Sequence, residues 1–130
     1  MGVWGAGNFD SDNSRDFLAA MVGRWEHVVD QLLGGEIPQE LESLDLEPGL
    51  DTCEACVIPT IEVMIVVAKN LQPDYLPAPD VVSRWRCQFL ALFDRECGRW
   101  DAGGQYETER RTVIEATFAR LLEAVEPRTT

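Results

Sequence analysis

Histidine is nearly missing from this chain: His27 is the only one in 130 residues. A nucleophile with an imidazole base, or a metal site built on imidazoles, is therefore reduced to one candidate position. That position falls opposite the apolar stripe of its own helix, so His27 is expected to be solvated. GxSxG, a phosphate-cradling glycine loop with lysine, and HExxH are all missing. The Gly-x-Trp-Gly-x-Gly opening follows no strand, which excludes a dinucleotide fingerprint. With these signals lacking, a non-catalytic protein without a cofactor is expected.

Long apolar runs are lacking too. The most apolar stretch, Val57 to Ala68, is too short to span a bilayer and carries Pro59 and Glu62, so it reads as a core element. The opening residues have no basic start before an apolar run, and Ala6 stands where a myristoylation motif needs Ser or Thr. The expectation is a soluble, cytoplasmic protein with no membrane contact. Cys53, Cys56, Cys87 and Cys97 are then expected to be reduced thiols.

Basic residues are scarce in the first half. Residues 1–68 hold 13 Asp and Glu against Arg15 and Arg24, and carry −11 of the total −12. The segment from Glu36 to Glu54 holds seven acids, Glu36, Glu40, Glu42, Asp45, Glu47, Asp51 and Glu54, and no base. Such a surface repels nucleic acid phosphates and anionic membranes and attracts basic proteins, over a range set by salt. The same charge also serves solubility.

Apolar residues make up 45% of the chain and charged residues 26%, a balance that suits one folded domain spanning residues 1–130. From Phe17 onward, Leu18, Met21, Val22, Trp25, Val28, Val29, Leu32 and Leu33 keep helical spacing. With Asp10, Ser11, Asp12 and Asn13 as N-cap types and Gly34-Gly35 as the exit, the first helix is expected over residues 13–33. Pro38 to Leu44 allows a short helical turn, which Pro48-Gly49 breaks. Asp51 or Thr52 can start a second helix through Cys56, Ile61, Met64, Ile65, Ala68 and Leu71, with Pro59 either kinking it or opening it. The β-branched run at 57–67 leaves a buried strand as the competing reading. Gln72 to Pro79 has three prolines in eight residues and must be a loop. A third helix then carries Val81, Val82, Trp85, Phe89, Leu92, Phe93 and Cys97, and ends at Gly98. A fourth carries Val113, Ile114, Thr117, Phe118, Leu121, Leu122 and Val125. The fold class is all-α: a small bundle of four main helices plus a short helical turn.

The opening from Met1 to Leu18 resembles the start of a bacterial family of unknown function, DUF 4259, with its Met-Gly-x-Trp-Gly-x-Gly-x-Phe motif, an Asn/Asp cluster, then Asp and an aromatic residue. Glu62 in its apolar helix and the Leu76-Pro77 step are similar to that family, whereas Arg95 to Gly104 departs from it. The resemblance implies a helical fold and no assigned function. Trp4, Phe9, Asp12, Asn13 and Asp16 are its signature here. Read physically, Gly2, Gly5 and Gly7 let Trp4 and Phe9 fold back onto the first helix as an N-terminal arm, while the acids cap that helix.

Two constellations mimic metal sites. Asp10, Asp12, Ser14 and Asp16 alternate like calcium-loop ligands, but Arg15 replaces the glycine and Met21 the bidentate glutamate of an EF-hand. Cys53-x-x-Cys56 could begin a zinc site, yet no second pair has the spacing. Capping and thiol packing are the expected roles, with metal binding by Asp10, Asp12 and Asp16 or by Cys53 and Cys56 as the alternative. Glu62, among apolar neighbours, is expected to pair with an arginine such as Arg84 or Arg111. The leading functional expectation is an interaction module that binds a basic protein surface, as immunity proteins and inhibitors do.

Overall fold

The structure, a computed structural model, describes residues 7, 11–71, 75–99 and 104–126, with Arg99 described by its backbone alone. Four long helices form a bundle: α1 (Asp12–Leu33), α2 (Leu50–Ala68), α3 (Pro79–Glu96) and α4 (Gln105–Val125). A 3-10 helix, Gln39–Leu44, lies between α1 and α2, and a 3-10 turn, Cys97–Arg99, follows α3. No described residue forms a strand.

Ser11 starts α1. Its backbone is extended and its Oγ accepts a hydrogen bond from the Ser14 amide at 3.1 Å, satisfying a first-turn donor. At the other end, the Gly35 amide donates to Leu32 O at 3.2 Å and the Glu36 amide to Gln31 O at 2.8 Å. That pairing is a Schellman motif, and it requires the left-handed residue that Gly35 supplies at φ +84°. The double-glycine exit is thus used as expected.

The β-branched run at 57–67 is helical. Val57, Ile58, Ile61 and Met64 are buried at helical spacing, so burial against neighbouring helices overrides local strand preference. Pro59 sits inside α2 without ending it. Its ring removes one backbone donor, which would have reached Ala55 O. α3 opens on Pro79, where proline's fixed φ and missing N–H cost nothing.

α2 packs against α1 and α4, and α3 packs against α4 and α1, so α1 and α4 stand diagonally across the bundle. The centre is filled by Val22 and Val29 of α1, Val57, Ile61 and Met64 of α2, Trp85, Phe89 and Phe93 of α3, and Ile114, Phe118 and Leu121 of α4. The rings of Phe89 and Phe118 lie 5.8 Å apart at 55°, a tilted contact that suits their quadrupoles. Buried Thr117 donates to Val113 O at 2.8 Å, so it brings no unpaired polar atom into the core.

Two stripe residues are not where their spacing put them. Phe17 is 63% exposed and Val113 is 50% exposed, each at the edge of a stripe whose centre is buried. Glu62 does pair with an arginine, but with Arg120 of α4 instead of Arg84 or Arg111. Arg84 binds Asp30, and Arg111 binds Asp94 and Glu115. The expected arm of Trp4 and Phe9 lies outside the described residues.

Candidate interaction surface

The connection between α1 and α2 turns its apolar side chains inward and its carboxylates outward. Pro38 is buried, and Ile37 and Leu41 pack partly against the core. Glu36, Glu40, Glu42, Asp45, Glu47 and Asp51 are all exposed. Asp45 ends the 3-10 helix in the left-handed region at φ +52°, a conformation aspartate tolerates better than most residues, and its amide donates to Glu42 O at 3.2 Å. Glu47 is tied down through its backbone, since the buried Thr52 hydroxyl donates to Glu47 O at 2.5 Å.

None of the carboxylates of Glu36, Glu40, Glu42, Asp45 and Glu47 takes part in an ion pair among the described residues. α1 ends beside them with no basic residue in its last turn, so the negative end of its dipole adds to their field.

Glu54 does not share this face. Its side chain is 14% exposed, and both oxygens are held by Arg110, Oε1 by Nη2 at 2.5 Å and Oε2 by Nε at 2.8 Å. The carboxylate beside it raises the Arg110 pKa further above the ordinary guanidinium value. Glu54 therefore fastens α2 to α4, and the acidic surface closes at Asp51.

The start of α2 has no side-chain cap of its own. Gly49, at φ +147°, is its N-cap residue, and the Leu50 amide donates to Glu96 Oε1 at 3.4 Å. A carboxylate from the last residue of α3 thus sits at the positive end of α2.

Among the described residues the candidate metal ligands are not grouped together. Asp12 and Asp16 are exposed at the first turns of α1, Asn13 is exposed beside them, and Asp10 lies outside the described residues. No group of three or more His, Cys, Asp or Glu side chains able to hold a metal ion occurs among the described residues. Cys53 is buried and its thiol donates to Leu32 O at 3.5 Å. Burial pushes its pKa up to about 12, with the neighbouring Cys56, Glu96 and Glu54 adding to the effect. Burial also raises Cys56. Cys53 belongs to the hydrophobic core, and Cys56 is partly buried against it.

One surface feature escaped the sequence reading. α2 is apolar on its outward side as well, where Ala55, Pro59, Val63 and Val66 are exposed. The signal was present in the run of apolar residues with no polar face, a pattern that normally marks a helix buried on all sides. Among the described residues, no helix is long and apolar enough to cross a membrane. Comparison with protein-family models, with curated proteins and with solved structures gives no match.

Proposed function

We propose that this chain is a non-catalytic interaction module that binds a basic surface of another protein, in the manner of an immunity protein or inhibitor. The observation that carries the reading is the row of exposed carboxylates at Glu36, Glu40, Glu42, Asp45 and Glu47, none of them neutralised by an ion pair among the described residues. Uncompensated like charges on one short segment cost stability through self-repulsion, and an external cation-bearing partner removes that cost. Nucleic acid is repelled by the same field. Membership of DUF 4259, proposed on the first eighteen residues, and a soluble, cytoplasmic setting belong to the same reading.

Affinity capture at low ionic strength tests it, comparing the wild-type chain with a Glu40→Lys, Glu42→Lys, Asp45→Lys variant. A basic protein retained by the first, lost by the second, and eluted as the screening length falls to about 8 Å near physiological salt is the expected result. Retention of no protein, or equal retention by both chains, overturns it.

A further inference from the structure

Like charges on a short segment push apart unless the fold keeps them in place. The segment from Glu36 to Glu47 is tied at both ends. At its entry the Glu36 amide donates to Gln31 O at 2.8 Å, across the turn that Gly35 makes possible at φ +84°. Along its length Pro38 is buried, and Ile37 and Leu41 pack partly against the core. At its exit the Thr52 hydroxyl donates to Glu47 O at 2.5 Å.

That last bond sets Thr52 apart from three other helical threonines. Thr60, Thr112 and Thr117 donate to the carbonyl one turn back in their own helices, to Cys56 O at 2.6 Å, Thr108 O at 3.0 Å and Val113 O at 2.8 Å. Such bonds satisfy the hydroxyl locally. Thr52 lies in the first turn of α2 and is only 7% exposed, yet its hydroxyl reaches out of the helix, past Pro48 and Gly49, to the backbone of Glu47. The turn it spans depends on Gly49, whose φ of +147° suits glycine alone.

A surface ordered before its partner arrives loses little conformational freedom on binding, and holds the partner more tightly for that reason. We infer that Thr52 is a positioning residue for the acidic surface: its hydroxyl fixes the exit of the segment, so that Glu40, Glu42, Asp45 and Glu47 meet a basic partner at a settled spacing. This inference rests on the interaction reading above and deepens it. Charge draws the partner to the face, and the buried hydroxyl sets how tightly that face holds it.

The test measures binding of an oligolysine peptide to the full chain at low ionic strength. Thr52→Val keeps the shape and every charge but removes the donor. It is expected to weaken binding about threefold to tenfold, because the loosened exit must be ordered again in the complex. Thr52→Ser retains the donor and is expected to bind within about twofold of wild type. The decline of affinity with salt is expected to be equally steep in all three chains, since no carboxylate has been removed. Amide exchange between Asp45 and Gly49 is expected to quicken in Thr52→Val and to be restored in Thr52→Ser. Gly49→Ala disturbs the same turn by straining its backbone, again without a change of charge, and takes the place of Thr52→Val if that variant lowers Tm.

Wild-type affinity in both Thr52→Val and Gly49→Ala overturns the positioning role and leaves the acidic-surface reading standing. Equal weakening by Thr52→Val and Thr52→Ser overturns it as well, because the hydroxyl is then not the cause. Oligolysine that binds the Glu40→Lys, Glu42→Lys, Asp45→Lys variant as tightly as wild type overturns both readings.

Discussion

The buried indole of Trp85 donates from Nε1 to Asp30 Oδ1 at 2.7 Å, and the same oxygen accepts from Arg84 Nη2 at 2.8 Å. Among the described residues Trp85 is the largest fully buried side chain, and the one polar atom of that side chain is satisfied by a carboxylate on another helix.

Asp30→Ala is expected to destabilise the protein by about 1–3 kcal/mol in urea titration, because it strands a buried donor. Arg84→Ala is expected to cost under about 1 kcal/mol, since both partners of that ion pair are roughly half exposed. Equal losses for the two variants would show that the indole bond contributes nothing.

The two ion pairs between α2 and α4 should behave differently. Glu54 and Arg110 are 14% and 24% exposed and joined by two hydrogen bonds, whereas Glu62 and Arg120 are 44% and 51% exposed. A double-mutant cycle on the first pair is expected to give a coupling of about 1–3 kcal/mol, little changed by salt. The same cycle on the second is expected to stay below about 1 kcal/mol and to shrink as salt is added.

Cys53 links stability to alkaline pH. In the unfolded chain its thiol ionises near 9.0, but the fold holds the proton until about 12. Between those values the folded state binds more protons, so this contribution is complete below pH 9 and is lost as pH rises toward 12. The slope is at most about 1.4 kcal/mol per pH unit. Comparing urea midpoints of wild type and Cys53→Ala at about pH 8 and about pH 10 isolates it, with the wild type expected to lose more.

Two glycines of the α1 region should respond to alanine with opposite sign. Gly35 holds φ +84°, so Gly35→Ala is expected to cost about 1 kcal/mol. Gly23 lies inside α1, where an added Cβ meets nothing within 4 Å, so Gly23→Ala is expected to stabilise by about 0.5–1 kcal/mol. Thermal melts of the pair decide both.

The helices were legible wherever a local rule acts alone. Ser11 caps α1, Gly34-Gly35 ends it, and the inward residues of α3 and α4 follow the helical period, although Pro79, assigned to the preceding loop, is the first residue of α3. What the sequence left open depended on neighbours distant in the chain. A strand and a helix were both compatible with residues 57–67 until α1 and α4 enclosed them. Arg120 instead of Arg84 or Arg111 faces Glu62 because the relative shift of two helices decides it, and no spacing within one helix records that shift. Glu54 looked like one more acid in an acidic segment, yet Arg110, 56 positions away, removes it from the surface. The outward apolar side of α2 was the least visible, since periodicity reveals a buried stripe only when a polar stripe opposes it.

The bond from the Leu50 amide to Glu96 joins the opening of one helix to the closing residue of another. Fraying at these two ends is therefore expected to be coupled. If the last turn of α3 unwinds, α2 loses a terminal partner and its first turn loosens with it. Amide hydrogen exchange at the two ends should then proceed at matched rates, slower than for a helix end left to melt by itself.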